Sequence, residues 1–235
     1  MTDRNLTCKC LEMREAIILG GGAGKRLKPY SDVSKPLLKL NDDTLIDFQL
    51  KWLRSHGFDR IIVPSNEPLP TSEPVIHVEE RERLGTGGAI KLALPQIRGE
   101  RVYVMNVDDM ITYDPAMLMK EAYLGGAILV TRPKSGFGKV QFNEAGTIIK
   151  FEEKPKLPWC CSVGHYAFKK KILNEYLPDK GNIELETFQK MADRRLLRAI
   201  VYDGIWITIN TVKELEEARK ALPAIKQLST PKKDT

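Results

Sequence analysis

The sequence predicts an α/β fold in which a mostly parallel β-sheet is flanked by helices and carries a small antiparallel lobe. Up to residue 131, apolar strand-like segments alternate with amphipathic segments, which is typical of parallel sheets with right-handed crossovers. A glycine-rich loop follows the first of these strands, and a hairpin pattern replaces the alternation after residue 135. A chain of 235 residues with 42% hydrophobic residues can bury one core of this kind.

The first half of the chain alternates strands with helices. Residues 14–20 have the apolar composition of a buried strand. Residues 44–57 place apolar side chains at helical spacing and end at Gly57, a typical C-cap residue. By the same criteria we predict strands at 59–65, 74–80, 101–109 and 127–133, and helices at 85–97 and 114–126. Ligands of such sheets bind at the carboxyl ends of the strands, where the segments GGGAGKR and NVDD are located.

After residue 135 the pattern indicates antiparallel structure. Residues 138–155 read as two strands around an Asn-Glu-Ala-Gly turn, which predicts a hairpin. Further elements are predicted as a strand at 162–169, a helix at 183–195, a strand at 196–204 and an amphipathic helix at 212–222. We assign this half to an antiparallel lobe attached to the parallel sheet. No repeat or linker interrupts the chain, so we expect a flexible arm at 1–13, one domain at 14–222 and a flexible tail at 223–235.

Composition restricts the class of partner. The net charge is +6, but Lys and Arg are interleaved with Asp and Glu and no basic run carries aromatic residues, which argues against nucleic acid. No apolar stretch approaches the ~20 residues that span a bilayer, and the N-terminus lacks the apolar region of a signal peptide. We therefore expect a cytoplasmic protein without a membrane partner, and a homo-oligomer is compatible with the sequence. The four cysteines lack zinc or disulfide spacing, so we expect free thiols.

The segment AIILGGGAGKRLKPYSDVSKPLLKL, residues 16–40, carries the most chemical information. A dinucleotide fingerprint would require glycine in place of Lys25, and a Walker A loop would require Ser or Thr in place of Arg26. What remains is a flexible loop whose amides can approach phosphate oxygens, with a guanidinium and an ammonium group a few residues later. This pattern is typical of a triphosphate site, and the alternative is a tight glycine turn with surface cations.

The segment resembles the signature of the sugar-1-phosphate nucleotidylyltransferases, roughly LAGGxGTRLxPLTxxxPKPLLPV. Other family-like segments follow in the family's order: LGTGGAI, NVDD, FGKV, FEEKP, SVGHYAFK, IELETF and GIWITINT. The resemblance covers residues 14–220 and implies a Rossmann-like sheet with a sugar-binding lobe. It also implies the family reaction, in which a sugar 1-phosphate attacks the α-phosphorus of a nucleoside triphosphate in line, with Mg²⁺ as cofactor and pyrophosphate as leaving group.

The resemblance assigns catalytic and nucleotide-binding roles. Arg26 would hold the leaving β and γ phosphates, and Lys35 would neutralise the α-phosphate in the transition state. Asp108 would bind Mg²⁺, and Lys154 would hold the phosphate of the sugar. The implied catalytic residues are Arg26, Lys35, Asp108 and Lys154. The implied nucleotide-binding residues are Gly20, Gly21, Gly22, Gly24, Glu80, Gly85 and Thr86.

The sugar contacts and the second metal ligand rest on the same resemblance. The implied sugar-binding residues are Gly138, Glu153, Gly164 and Glu184. The family motif WxDIGTP supplies a second metal-binding Asp, but Thr208 stands in its place here. Some cytidylyltransferase relatives carry this carboxylate two residues later, at the position of Asn210. The remaining candidate for the second ligand is therefore Asn210, whose carbonyl oxygen is neutral and would bind Mg²⁺ more weakly.

Glu80 directs the choice of base. Family members that read thymine or uracil place Gln five residues before the glycine of the following turn, which is Gly85 here. A carboxylate only accepts hydrogen bonds, and guanine offers two adjacent donors, whereas thymine and uracil offer one donor flanked by carbonyls. The base is therefore expected to be guanine. The run LGTGGAI is also similar to guanylyltransferases that act on mannose 1-phosphate and heptose 1-phosphate, while glucose 1-phosphate stays open.

Two alternatives remain. One is a thymidylyl- or uridylyltransferase acting on glucose 1-phosphate. The other is a non-catalytic regulatory homologue that binds a nucleotide sugar, because Thr208 replaces the second metal-binding Asp. Two further departures from the family bear on the site: the spacing from Arg26 to Lys35 is one residue shorter than in the usual signature, and residues 64–74 replace a segment that normally carries a helix.

Overall fold

The computed structural model describes residues 13–20 and 33–229. Its strands are β1 (Arg14–Leu19), β2 (Lys39–Leu40), β3 (Asp43–Thr44), β4 (Phe58–Ser65), β5 (Ile76–Glu79), β6 (Arg101–Asn106), β7 (Asp109–Ile111), β8 (Gly126–Thr131), β9 (Lys139–Phe142), β10 (Ile148–Glu152), β11 (Cys161–Lys169), β12 (Leu197–Val201) and β13 (Trp206–Thr208). Its α-helices are α1 (Leu45–Ser55), α2 (Gly85–Ala93), α3 (Pro115–Glu121), α4 (Lys170–Tyr176), α5 (Phe188–Asp193) and α6 (Val212–Ser229). Short 3-10 turns occur at Lys35–Leu37 and Leu94–Gln96, and a π-helical turn occurs at Ile183–Thr187.

A seven-stranded sheet in the order β12-β8-β11-β6-β1-β4-β5 forms the centre of the structure. Strand β11 runs antiparallel to both of its neighbours, and all the other pairs in this sheet are parallel. The predicted α/β class with a mostly parallel sheet is therefore confirmed. The carboxyl ends of β1, β4, β5 and β6 lie at one edge of the sheet, which is where such folds bind ligands.

The separate antiparallel lobe is smaller than the sequence predicts. Strands β11 and β12 belong to the central sheet, and only the hairpin of β9 and β10 forms a sheet of its own from the predicted lobe. Residues 163–168 of β11 are all buried, so this strand requires cover on both faces and is inserted between β6 and β8. Strand β12 pairs in parallel with β8 at the sheet edge.

The central sheet separates two apolar clusters. Ile18 of β1 contributes to one cluster, together with Leu50 of α1, and its neighbour Ile17 contributes to the other, together with Ile90 of α2. Successive side chains of a strand point to opposite faces, so a continuous apolar run such as β1 is covered by helices on both sides.

Several helix bounds differ from the prediction. Helix α2 ends at Ala93 and passes into a 3-10 turn, because Pro95 cannot donate the next helical hydrogen bond. The helix predicted at 183–195 is a π-helical turn followed by α5. Helix α6 continues to Ser229, because Leu222 and Ile225 extend its buried stripe. The predicted flexible tail therefore does not begin at 223, and residues 230–235 and 1–12 lie outside the described ranges.

Two expectations from composition concern membranes and cysteines. No helix within the described ranges is long and apolar enough to cross a bilayer. Cys160 and Cys161 are free thiols, as predicted, whereas Cys8 and Cys10 lie outside those ranges.

Candidate active site

A cavity of about 340 Å³ opens at the carboxyl edge of the central sheet, next to the ends of β1, β4, β5 and β6. Residues from distant parts of the chain meet here, because the parallel strands all end at this edge. The site residues predicted from the sequence that line the cavity are Gly20, Lys35, Glu80, Gly85, Thr86, Asp108 and Glu184.

Lys35 is held between two side-chain oxygens at this cavity. Its Nζ donates to Asp108 Oδ2 at 2.6 Å and to Asn210 Oδ1 at 3.1 Å. The Lys35 and Asp108 side chains are only 14% and 18% exposed, so their attraction is screened less than that of a surface pair. The structure therefore brings together a cation, a carboxylate and an amide that lie far apart in the sequence.

The pairing of β13 with β7 explains why Asn210 lies beside Asp108. Thr208 pairs with Asp109 across this short antiparallel ladder, and the amide of Ile209 donates to the Asp108 carbonyl at 3.0 Å. Asn210 follows directly, and its Nδ2 donates to Thr208 Oγ1 at 3.0 Å, which turns its carbonyl oxygen toward Lys35. The three-residue strand β13 was not predicted, because its segment is too short to show a periodic pattern.

Asp109 is buried, and its carboxylate accepts hydrogen bonds that join β13 to the end of β6. Its Oδ1 accepts from Trp206 Nε1 at 2.9 Å and its Oδ2 accepts from Asn106 Nδ2 at 3.0 Å. Burial, with the Asp108 charge next to it, raises the pKa of Asp109 to about 6. Gly164, predicted to contact sugar, packs against this carboxylate: its φ is +73°, and a Cβ there would collide with Asp109 Oδ2.

A second layer of buried polar groups holds the backbone around Asp108. Gln49 Nε2 donates to the carbonyls of Val107 at 3.0 Å and Asp109 at 2.8 Å. His165 Nε2 lies 3.0 Å from the same Asp109 carbonyl, and its Nδ1 lies 2.6 Å from the Tyr103 hydroxyl. Burial lowers the pKa of His165 to about 4, so the ring is neutral near pH 7 and can donate through Nε2 while accepting from Tyr103 through Nδ1.

These supporting residues were not predicted. A signal existed for Gln49, which is a polar residue on the apolar face of α1, where a buried amide needs partners. His165 lies in a continuous buried strand, and nothing in the sequence shows that its ring reaches the chain segment after β6.

Glu80 lies half-buried at the wall of the cavity. Its Oε1 accepts from the amide of Leu84 at 2.8 Å, which fixes the carboxylate at the start of α2. No described residue donates to its Oε2. Arg83 also lines the cavity and was not predicted, because it stands in a run of alternating charges that resembles a solvated surface.

The glycines before and within α2 allow close backbone packing. The amide of Gly87 donates to the Gly181 carbonyl at 2.9 Å, and a Cβ on Gly85, whose φ is +75°, would lie 2.6 Å from that same oxygen. Thr86 Oγ1 accepts from the amide of Ile183 at 2.9 Å and donates to Glu184 Oε2 at 3.0 Å. Glu184, predicted on the sugar side, therefore lies beside a predicted nucleotide contact.

The residues implied for the sugar phosphate lie away from the cavity lining. Glu153 and Lys154 follow β10 and are exposed. Gly138 precedes β9, and a Cβ on it would lie 3.2 Å from Glu153 Oε2, so these two predicted sugar contacts are neighbours on the hairpin. The structure places Gly138 and Glu153 next to each other, and none of these hairpin residues is among those that line the cavity.

Part of the predicted phosphate loop falls outside the described ranges. These residues are Arg26, Gly21, Gly22 and Gly24. Gly20, the last described residue before them, lines the cavity and is buried.

The oxygens around Lys35 fit a magnesium ion that is held largely by substrate. Within residues 13–20 and 33–229, no group of three or more His, Cys, Asp or Glu side chains could hold a metal. Asp108 Oδ2 and Asn210 Oδ1 nevertheless already converge on one cation, the Lys35 ammonium. Mg²⁺ is commonly bound by one or two carboxylates together with phosphates and waters, and Asp108 with Asn210 suits that arrangement.

The fold and the site together define an α/β enzyme whose cavity is suited to a phosphorylated ligand. The family model described as nucleotidyl transferase matches residues 15–224. The chain is 30% identical over 214 residues to the D-glycero-alpha-D-manno-heptose 1-phosphate guanylyltransferase of Campylobacter jejuni, covering 85% of this chain and 96% of that protein. It is 31% identical over 243 residues to the mannose-1-phosphate guanylyltransferase 1 of Arabidopsis thaliana, covering 89% and 67%. The chain therefore belongs to the nucleotidyl transferase family, in the group of sugar-1-phosphate nucleotidylyltransferases.

A solved structure shares the fold. HddC from Yersinia pseudotuberculosis superposes with a TM-score of 0.70 at 24% identity, covering 89% of this chain and all of that chain.

Proposed function

We propose that this protein transfers a guanylyl group from GTP to a mannose- or heptose-type sugar 1-phosphate, giving a GDP-sugar and pyrophosphate. The observation that carries the proposal is the convergence of Lys35, Asp108 and Glu80 on one cavity. Its volume of about 340 Å³ is within the range of small-molecule sites. We also propose a cytoplasmic location for this activity, as expected from the sequence.

Charge neutralisation is the main catalytic task in this proposal, because the reaction brings two phosphates together. Lys35 is oriented by Asp108 and Asn210 in the free protein, and its ammonium would neutralise the charge that develops on the α-phosphate in the transition state. Arg26 and the amides of the glycine loop are assigned to the leaving phosphates by their place in the family signature. Mg²⁺ held by Asp108 and Asn210 would further offset phosphate charge when bound.

Glu80 supports the choice of guanine. Its Oε1 is fixed by the Leu84 amide and its Oε2 has no described donor, so an acceptor is available at the cavity wall for the N1–H and 2-amino group of guanine. An acceptor that a bound base would cover and leave unpaired costs about 1 to 3 kcal/mol, which would disfavour thymine or uracil here.

The names of the relatives support the choice of sugar. One relative is a heptose 1-phosphate guanylyltransferase and another is a mannose-1-phosphate guanylyltransferase, each at about the same identity to this chain. The hairpin residues Gly138, Glu153 and Lys154 are proposed to contact the sugar 1-phosphate, which requires the β9–β10 hairpin to approach the cavity when the sugar binds.

The test is release of pyrophosphate from GTP, dTTP, UTP, CTP and ATP with mannose, heptose and glucose 1-phosphates, each with Mg²⁺ and with a chelator. Release with GTP and one of the first two sugars, abolished by the chelator, is the expected result. Release with dTTP or UTP and glucose 1-phosphate would instead support the thymidylyl- or uridylyltransferase alternative.

A second candidate is a non-catalytic subunit that binds a nucleotide sugar. It is favoured by Thr208, which replaces a metal-binding carboxylate, and by the neutral side chain of Asn210. Binding of GTP without pyrophosphate release from any combination would establish this alternative and overturn the catalytic proposal.

A further inference from the structure

We propose that a second cavity, at the edge of the central sheet opposite the candidate active site, binds a small phosphorylated anion. This basic cavity has a volume of about 1140 Å³. It is formed by the segment after α2, the start of β6, the end of β11 and α4. Strand β6 begins here at Arg101 and ends at Asn106, which lines the candidate active site, so the two cavities share a strand but no lining residue.

The charged lining of the basic cavity is mostly cationic. Its charged side chains are Arg98, Arg101, Lys169, Lys170, Lys171, Glu100 and Glu175. Lys170 donates to the carbonyl of Ile97 at 2.5 Å, so its ammonium already has a protein acceptor. The side chains of the other four cations form no hydrogen bond or ion pair with any residue in the described ranges. The two carboxylates of the lining therefore form no ion pair with them.

The strand register independently favours an anion site. Arg101 of β6 and Lys169 of β11 are direct partners in the antiparallel ladder. Directly opposed side chains in such a ladder lie about 4.5 to 5.5 Å apart at Cβ, and like charges at this position are destabilising. A phosphate group between them would replace this repulsion with two charge-assisted hydrogen bonds. A cationic pair of this kind is expected where an anion binds.

The shape and lining of the cavity favour a small ligand over a macromolecule. The site is concave, and Leu94, Pro95 and Ile172 add apolar surface beside the cations. A guanidinium next to ammonium groups suits phosphate oxygens, and the apolar wall suits the rest of an organic phosphate. A nucleotide and a sugar phosphate share this chemistry. A nucleic acid would instead be expected to track a longer basic stripe carrying aromatic residues.

Titration calorimetry with inorganic pyrophosphate and, separately, with GDP tests the proposal on the full-length protein. The wild type should show a binding event that weakens at least roughly tenfold in the double variant Arg101→Gln/Lys169→Gln, because two charge-assisted contacts are lost. The control variant Lys213→Gln/Lys220→Gln removes the same charge from the exposed face of α6 and should leave that event unchanged. A larger loss of affinity for GDP than for pyrophosphate in the Arg101→Gln/Lys169→Gln variant would identify a nucleotide ligand at this cavity.

Two results would overturn the proposal. One is binding of both probes that is unchanged in the Arg101→Gln/Lys169→Gln variant. The other is equal weakening by the control variant, which would reveal a general charge effect. Pyrophosphate release from GTP and the sugar 1-phosphate, with neither probe added, should be the same in both double variants as in the wild type. Failure of this proposal is therefore distinguishable from failure of the proposed transferase activity.

A measurement on the wild type keeps the test independent of variant folding. Acetylation of individual lysines is followed by mass spectrometry with and without pyrophosphate. Modification of Lys169 and Lys171 should slow several-fold with pyrophosphate while that of Lys213 stays constant. Unchanged rates at all three lysines would refute the site. The free Arg101→Gln variant should also melt no lower than the wild type, because the substitution relieves repulsion.

Discussion

Replacing Lys35 with alanine removes the cation between Asp108 and Asn210. In the free protein its Nζ lies 2.6 Å from Asp108 Oδ2 and 3.1 Å from Asn210 Oδ1. In the proposed reaction the same ammonium neutralises the phosphate under attack. The substitution therefore affects both the stability of the site and the rate of the reaction, and the two effects have different sizes.

The rate effect should be the larger one. A cation 4 Å from a phosphate oxygen is worth about 4 kcal/mol at an effective dielectric constant of 20, which corresponds to roughly a thousandfold in rate. The stability effect is the cost of leaving Asp108 without its partner. That cost is about 1 to 3 kcal/mol, because the Asp108 side chain is still 18% exposed and water can replace part of the lost contact.

Steady-state pyrophosphate release with GTP and the preferred sugar 1-phosphate measures the rate effect, and urea unfolding measures the stability effect. We expect kcat and kcat/KM to fall together, because the contact is made in the transition state. Lys39→Ala, an exposed lysine on β2, is the matched control and should keep normal turnover. A Lys35→Ala protein that folds and retains turnover within a few-fold of wild type would refute the assignment.

Three further predictions concern the base, the buried histidine and the terminal helix. Glu80→Gln should lower the preference for GTP over dTTP by about tenfold or more, whereas Glu79→Gln, a change at an exposed neighbour, should not. The same ratio of kcat/KM for GTP to kcat/KM for dTTP in the wild type and in Glu80→Gln would contradict the role of Glu80. The pKa of His165 falls from 6.5 in the unfolded chain to about 4 in the folded protein, so the unfolded state binds a proton first as the pH falls. The free energy of unfolding should therefore decrease by about 3 kcal/mol from this group between pH 6.5 and pH 4, and urea titrations of wild type and His165→Gln should show that much less pH dependence in the variant. Ile225→Ala should cost about 2 kcal/mol of stability because Ile225 is fully buried, whereas the exposed Leu228→Ala should cost little; equal urea midpoints would show that this part of α6 does not contribute to the core.

The central sheet could be predicted because its strands are continuous apolar runs separated by amphipathic helices. The insertion of β11 between β6 and β8 could not, because a buried strand has the same composition whether its neighbours are parallel or antiparallel. The helix α6 was predicted to end at residue 222, but Ile225 continues the buried stripe beyond Pro223 and the helix runs to Ser229.

The candidate site also combines residues that could be predicted from the sequence with contacts that could not. Lys35 and Asp108 were placed by motif and meet at the cavity, since both motifs lie at the carboxyl edge of a parallel sheet. The anchoring of Asp109 by Trp206 depends on the three-residue pairing of β13 with β7, which no periodicity in the sequence reveals. The exposed position of Lys154 could not be predicted, because a motif identifies a residue without its distance from the cavity.

The proposed function requires that this protein makes a GDP-sugar. The most direct test supplies equal concentrations of GTP, dTTP, UTP, CTP and ATP with mannose and heptose 1-phosphates in one reaction, and identifies the nucleotide sugars by mass. A GDP-sugar is expected to exceed every other product by at least about tenfold, because thymine and uracil would leave the acceptor of Glu80 unpaired. A predominance of dTDP- or UDP-sugar, or the absence of any nucleotide sugar, would contradict it.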